Sequence, residues 1–123
     1  MVHEVITIFY SEHPNHMTAA QLIQSLPDRL KAGAGKDVDI TYHFKISGTN
    51  GGDFTVRVKD GSCTVEKGLS GEPKCEIVAK DTDYEDVELG RTNPQMAVLF
   101  GKVKVSNVGS LMKFVEMFER ARP

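Results

Sequence analysis

The sequence has no long apolar run, no excess of positive charge and no cluster of cysteines. Its 123 residues are 40% apolar and carry a formal net charge of −2. No apolar stretch approaches the roughly 20 residues that a membrane-spanning helix needs, so we expect no transmembrane segment. The mixed charge, without basic residues interleaved with aromatic ones, argues against nucleic-acid binding. The chain is long enough for one domain with a single core.

Cysteine is scarce, with Cys63 and Cys75 the only two residues of this type. They lack metal-binding spacing, and we expect both to be buried thiols in a reducing compartment, with a cross-strand disulfide as the alternative. His13 and His16 lie three residues apart, but Pro14 stands between them and no third ligand is close in sequence. This pattern favours a solvated loop over a metal site. We expect no cofactor.

Catalytic motifs are also missing. The Gly-Lys of AGAGKD is followed by Asp37, whereas a Walker phosphate-binding loop needs Ser or Thr there. No Gly-x-Ser-x-Gly motif presents a nucleophile. The carboxylates from Asp81 to Asp86 crowd a helix start, where they stabilise the helix without a catalytic role. We therefore predict that the protein is not an enzyme; a metal-dependent enzyme using His13 and His16 is the alternative.

Neither end of the sequence resembles a targeting signal. The N-terminal residues include the acidic Glu4 and no basic leader. The last residues, ERARP, differ from the Ser-Lys-Leu peroxisomal address. We expect a cytoplasmic protein.

The strongest pattern that the chain does contain is an alternation of apolar and polar residues over 38–47. A period of two predicts a strand with one buried and one exposed face, with His43 on the exposed face. The alternation returns over 53–59, and Asp60-Gly61 predicts a tight hairpin into a third strand. A Gly/Pro-rich turn then leads to a fourth strand over 75–79. Four successive strands of this kind predict an antiparallel meander.

Helical signals flank these strands. Thr18 with Gln21 and Thr82 with Glu85 have the spacing of capping boxes, so each pair predicts the start of a helix. The segments before and after the predicted meander thus have the apolar spacing of helices, whereas the meander itself has a period of two.

The stretch LGRTNPQMAVLFGKVKVSN contains a short, sharply bounded apolar helix. Asn93 caps it, Pro94 takes the first helical position and Gly101 ends it. A fifth strand over 103–105, with lysines on its outer face, suits a sheet edge. A final helix over about 109–121 is predicted to bury Val115 among other residues. We expect the following side chains of these two helices to face the sheet: Met96, Leu99, Phe100, Phe114, Met117 and Phe118.

These elements predict an α+β fold with two layers, a five-stranded, mainly antiparallel sheet covered on one face by helices. Between the layers lies a continuous set of apolar residues. Periodicity alone favours a filled core, and composition does not distinguish such a core from a lined tunnel.

The order of the elements, together with three local sequences, resembles the sterol carrier protein 2 family. The three are FKISGTNGGDFTVRVKDGSCTVEKG, AKDTDYEDVELGRTNPQMAVLFGKVKVSN and the closing amphipathic helix. The most specific part is Gly-x-x-Asn-Pro-Gln-x-Ala-x-x-x-Gly-Lys-x-Lys over 90–104. The resemblance covers about residues 18–121. SNVGSLMKFVEMF departs modestly from it, since the family more usually has a glycine before a methionine-leucine helix start.

The resemblance implies a lipid-binding domain over residues 18–123, preceded by an N-terminal extension of uncertain structure over 1–17. It implies non-catalytic binding or transfer of a fatty acid, fatty acyl-CoA, sterol or similar lipid in a hydrophobic tunnel. Transient membrane contact is compatible with such a carrier. The candidate ligand-binding residues are Phe44, Ile46, Phe54, Val56, Met96, Leu99, Phe100, Val103, Phe114, Met117 and Phe118.

An interaction module is the alternative to a carrier. Such a protein would keep the fold without a ligand cavity. It would form a homodimer or bind a partner through the charged sheet face or the apolar residues 5–10.

Overall fold

The computed structural model describes residues 17–121, and His13, His16 and most of the predicted extension lie outside them. Its helices are α1 (Ala19–Gln24), α2 (Leu26–Arg29), α3 (Asp81–Glu88), α4 (Pro94–Leu99) and α5 (Val108–Met117). Its strands are β1 (Asp39–Ser47), β2 (Gly52–Lys59), β3 (Ser62–Lys67), β4 (Cys75–Lys80) and β5 (Val103–Val105). Within the described part of the chain, no helix is long and apolar enough to cross a membrane.

The five strands form one sheet in the order β3-β2-β1-β4-β5. Strand β1 pairs antiparallel with β2, where Phe44 faces Phe54, and parallel with β4, where Phe44 faces Ile77. The β2–β3 and β4–β5 pairs are antiparallel. The predicted α+β class, with a mainly antiparallel five-stranded sheet, is confirmed. The predicted four-strand meander is wrong, because β4 pairs with β1 instead of with β3.

The segment 68–74 explains this error, since it is a crossover and not a hairpin turn. It runs from β3 at one edge to β4 on the far side of β1. Thr55 Oγ donates to the Gly68 carbonyl oxygen at 2.8 Å, and His43 Nε2 donates to the Ser70 carbonyl oxygen at 2.8 Å. His43 is therefore buried, at 6% exposure, and its predicted exposure is wrong. The crossover needs polar partners on this face of β1 and β2, which alternation alone did not distinguish from solvent exposure.

The β2–β3 hairpin forms as predicted. Lys59 faces Ser62 across the ladder, which leaves Asp60 and Gly61 as a two-residue loop. Both loop residues have positive φ, 52° and 83°. This is the backbone that a tight hairpin requires and that glycine adopts without steric cost.

The core lies between the sheet and the helices. Helix α1 starts with the predicted capping box, in which Thr18 Oγ accepts from Gln21 N and the Gln21 side chain accepts from Thr18 N. Leu22 and Ile23 of α1 are fully buried. Tyr42 of β1 is also fully buried and donates its hydroxyl to the Ser110 carbonyl oxygen of α5 at 2.9 Å.

Three details of the helices differ from the predictions. Helix α3 begins at Asp81 with Lys80 as its N-cap, so the second predicted capping box is absent. Val115, which was predicted to be buried, is 40% exposed. Helix α5 ends at Met117, and Phe118 is extended and pairs with Leu30 of the segment after α2, which turns this end of the chain inward.

Both cysteines are buried free thiols. Burial raises the pKa of the Cys63 thiol to about 11, and the charge of Arg29 partly opposes this effect. The unfolded chain would lose the same proton near pH ~8.5. The stability contributed by the protonated thiol is thus intact below that pH and is lost as the pH rises toward 11.

We expect Cys63→Ala to flatten the alkaline loss of stability. Between pH ~8 and pH ~10, the free energy of unfolding of the variant should fall by roughly 1–2 kcal/mol less than that of the wild type. Urea unfolding at each pH measures this difference. Equal pH dependence of the two proteins would contradict the assignment.

Leu22→Ala should destabilise the fold by about 2–5 kcal/mol, because the substitution leaves a cavity at a fully buried position. Leu69→Ala is the matched control. Leu69 is 39% exposed in the crossover, and its substitution should change stability by less than about 0.5 kcal/mol. Urea unfolding of the two variants tests whether α1 belongs to the cooperative core, and similar losses in both would show that it does not.

Candidate functional site

A cavity of about 420 Å³ lies between the sheet and the helices α3 and α5. Sheet residues form its floor, while α3, the loop before α4, α5 and the segment after α5 form the rest. Its lining residues are Phe44, Ile77, Tyr84, Val87, Glu88, Gly90, Thr92, Asn93, Pro94, Val103, Leu111, Phe114, Val115, Phe118, Glu119 and Arg120.

Four aromatic rings form the inner wall of this cavity. Phe44 lies edge-on to Tyr84, with ring centroids 5.7 Å apart, and at a tilt to Phe114 at 5.5 Å. Phe118 continues the row, 4.8 Å from Phe114. Edge-to-face and tilted rings attract each other beyond the burial of their area, so this wall holds its shape beside the open space.

Glu88, a charged residue of the cavity lining, is neutralised by an ion pair. Arg29 of α2 forms a two-pronged ion pair with Glu88, with both N–O distances at 3.2 Å and both side chains 11% exposed. The Tyr84 hydroxyl donates to the same carboxylate. Burial raises the pKa of Tyr84 well above its ordinary value, and the charge of Glu88 adds to this effect. The phenol therefore stays protonated and remains a hydrogen-bond donor.

Arg29 also connects parts of the chain that are distant in sequence. Its guanidinium donates to the Leu22 carbonyl oxygen at 2.9 Å and to the Glu119 carbonyl oxygen at 2.8 Å, and its Nε donates to Ser25 Oγ at 3.0 Å. With Glu88, these contacts join α1, α2, α3 and the segment after α5. One side chain therefore fixes the elements at this end of the cavity.

The mouth of the cavity consists of its exposed lining residues, Gly90, Asn93, Val115, Glu119 and Arg120. Gly90 has φ +81°, and a Cβ there would lie 2.5 Å from Arg120 Nη1. The guanidinium thus packs directly on the Gly90 backbone, which no other residue type would allow without a shift. The mouth combines one apolar side chain with polar and charged groups.

The acidic helix α3 uses its carboxylates as structural acceptors. Glu85 accepts from the backbone N of Ala19 at 2.9 Å, and Asp86 pairs with Arg91 at 2.9 Å. Asp81 accepts from the backbone N of Asn50 at 3.0 Å. Each of these carboxylates is directed to a different part of the chain, so they do not form the close pair that acid/base catalysis needs.

The structure divides the candidate ligand-binding residues into three groups. Four of them line the cavity: Phe44, Val103, Phe114 and Phe118. Four are packed in the core away from the cavity: Ile46, Phe54, Val56 and Met117. Three are exposed on α4: Met96, Leu99 and Phe100.

The expectation that the α4 side chains face the sheet is therefore wrong. Helix α4 has only six residues and buries Ala97, at 1% exposure. Met96, Leu99 and Phe100 point outward instead, at 43%, 71% and 67% exposure. A helix this short presents a single face to the core, and the small Ala97 lets it approach closely.

Several cavity residues were missed at the level of sequence. Tyr84 and Val87 are three residues apart in α3, a spacing that places them on one helical face. This spacing was not used in the prediction, because the surrounding carboxylates indicated only a helix start. Arg120, near the end of the sequence, gave no signal at all.

An apolar cavity with a few polar groups at its mouth, between a sheet and helices, is the form that small-molecule sites take. The model of the SCP-2 sterol transfer family matches residues 19–119. The chain belongs to this family, as the resemblance in its sequence indicated.

Among its relatives, sterol carrier protein 2 of Gallus gallus is 35% identical over 82 residues, which are 63% of this chain and 15% of that protein. The homologous protein of Homo sapiens is 32% identical over 82 residues, with the same coverage. The chain thus spans about 15% of the length of these relatives.

Solved structures share the fold. The sterol carrier protein domain 2 of Helicoverpa armigera has a TM-score of 0.54 at 26% identity, over 92% of this chain and 81% of that one. The sec-alkylsulfatase Pisa1 of Pseudomonas sp. has a TM-score of 0.75 at 16% identity, over 87% of this chain and 17% of that one. The second likeness concerns the fold alone, and it occurs within a much longer chain.

We expect Arg29→Met and Glu88→Gln to destabilise the protein by about 3 kcal/mol each, because either change leaves a nearly buried partner unpaired. The double variant should lose less than the sum, by a coupling of about 1–3 kcal/mol. Urea unfolding of the four proteins completes the cycle.

Arg57→Met is the control for this cycle. Arg57 pairs with Asp39 on the surface, where the two side chains are 48% and 56% exposed. Its loss should cost less than about 1 kcal/mol. Additive losses from Arg29 and Glu88 would contradict the central place given to their ion pair.

Proposed function

We propose that this domain binds a hydrophobic ligand in the cavity between sheet and helices and carries it without a chemical reaction. The observation that carries the proposal is the cavity itself, at about 420 Å³ with an aromatic inner wall. Its size lies within the ~300–1,000 Å³ common for small-molecule sites. Membership of a sterol transfer family supports lipid binding or transfer in general. A fatty acid, a fatty acyl-CoA or a sterol is the class of ligand that we propose.

The energetics favour a ligand with a long apolar portion. Burying about ten methylenes contributes roughly 8 kcal/mol, at ~0.8 kcal/mol each. Association costs at least ~4 kcal/mol, so the chain alone supports binding near the millimolar level. Tighter binding needs contacts between the ligand's polar group and the mouth.

The mouth offers those contacts. Arg120 has no carboxylate within 4.0 Å among residues 17–121, and it lines the cavity together with Thr92 and Glu119. By contrast, Glu88 is neutralised by Arg29 and presents little net charge to the ligand. We infer that the apolar part of the ligand lies against the aromatic wall, with its polar end at the mouth.

Native mass spectrometry of protein freshly purified from cells tests the proposal. The expected result is an added mass that disappears on denaturation, followed by recovery of one lipid class on organic extraction. A bare protein that also stays bare after incubation with fatty acids, acyl-CoA and sterols would overturn it.

Filling the cavity should weaken ligand binding. Val87→Trp places a large side chain at a half-buried lining position, and it should weaken binding of a fluorescent fatty acid by on the order of tenfold or more at a folding cost of ~1–3 kcal/mol. Val65→Trp is the matched control, since Val65 is half-buried in β3 and does not line the cavity. If both folded variants bind the probe as the wild type does, the cavity is not the binding site.

A further inference from the structure

Three of the seven large apolar side chains that are exposed among residues 17–121 lie on α4 and its C-cap residue: Met96, Leu99 and Phe100, which form the α4 face. The three residues have the spacing i, i+3, i+4, so they form one continuous stripe along the helix. Their exposures are 43%, 71% and 67%. Single exposed apolar residues are ordinary, whereas a contiguous patch marks a contact surface.

The chain around this stripe is basic, although the protein as a whole is acidic. Residues 91–118 contain four basic residues and one acidic residue, Glu116, in a chain of net charge −2. Arg91 pairs with Asp86, while Lys102, Lys104 and Lys113 are exposed and have no carboxylate within 4.0 Å among the described residues. A local excess of unpaired positive charge selects an anionic partner.

Backbone and side-chain contacts place two of these lysines, Lys102 and Lys113, beside the stripe. Lys102 N donates to the Ala97 carbonyl oxygen at 2.9 Å, which fixes Lys102 against the last turn of α4. On the other side, Gln95 Nε2 donates to Met112 Sδ at 3.8 Å, so the start of α4 lies against the part of α5 that carries Lys113. Lys102 and Lys113 therefore border the apolar stripe, whereas Lys104 lies opposite Val78 in the β4–β5 ladder.

We propose that the α4 face, bordered by Lys102 and Lys113, docks the protein on an anionic lipid bilayer. Interfacial membrane binding has two parts. Apolar side chains enter the headgroup region, and neighbouring lysines contact anionic lipids. Pro94, at the start of α4, and Val115 of α5 both line the cavity. Docking through α4 thus brings the cavity wall close to the membrane, where an apolar ligand can pass between them. The docking surface itself does not depend on the identity of the ligand.

A single tryptophan reports directly on this contact, because the chain contains none. In the full-length Phe100→Trp variant, vesicles containing about 30% phosphatidylserine should shift the emission to the blue, and lipids brominated on their acyl chains should quench it. Pure phosphatidylcholine vesicles should give a much smaller change. Raising the salt from about 0.1 M to about 0.5 M should weaken the response to the anionic vesicles.

Vesicle sedimentation with surface variants then tests which groups bind. Leu99→Ser with Phe100→Ser should lower binding by on the order of tenfold or more, since two large apolar side chains are lost from the lipid contact. Leu69→Ser with Val78→Ser is the matched control, because both residues are 39% exposed elsewhere, and it should bind as the wild type does. Neutralising Lys102 and Lys113 to Gln should weaken the preference for anionic lipid, whereas Lys59→Gln with Lys67→Gln should not.

Other occupants of this face would give different outcomes, and each would overturn the proposal. Emission that is blue-shifted and protected without vesicles would show that the face is covered by the chain itself. A shift that grows with protein concentration, with a dimer in light scattering, would show that a second copy covers it. Vesicle binding without a change at Trp in the Phe100→Trp variant would place the membrane contact elsewhere, and absence of any vesicle binding would exclude it.

Discussion

The ion pair between Arg29 and Glu88 is the interaction on which the geometry of the cavity depends. Two charges at 11% exposure are costly to bury, and they are retained only when each is fully hydrogen-bonded. Here the guanidinium satisfies the carboxylate and also two carbonyl oxygens, from Leu22 and Glu119. These carbonyls belong to α1 and to the segment after α5, so the pair joins both of them to α3. The pair therefore orients the elements around the open space more than it adds net stability.

An open cavity in a core forfeits dispersion contacts, so its walls must be held by other means. The aromatic row of Phe44, Phe114 and Phe118 supplies one such support, since its rings contact one another as well as the cavity. Helix α3 supplies another, because Glu85 and Asp86 bind chain segments on either side of it. The carboxylates that were predicted from the sequence to stabilise a helix start also hold α3 over the cavity.

Sequence periodicity predicted the layers well and the connections less well. The alternation in β1 and β2, the Asp60-Gly61 hairpin and the Asn93 cap each follow from local backbone chemistry, which a short stretch specifies completely. The partner of β4 is a non-local choice, and nothing within residues 68–80 distinguishes a hairpin from a crossover. The burial of His43 depends on that same choice, because its hydrogen-bond partner arrives from the crossover. Arg29 could not be recognised either, since its partners are 59 and 90 residues away.

The five consecutive apolar residues from Met96 to Phe100 show why composition is a poor guide to a binding site. An apolar run in a helix has no polar side to indicate which face is buried, so the run itself is equally compatible with a cavity wall and with an outer surface. The decision comes from neighbours: Ala97 is small enough for close packing on β5, and Gly101 turns the chain before α4 can extend across the sheet. The cavity is closed instead by Tyr84 and Val87 of an acidic helix and by Phe118 beyond the end of α5. The large residues of α4 are thereby left available for a contact outside the domain.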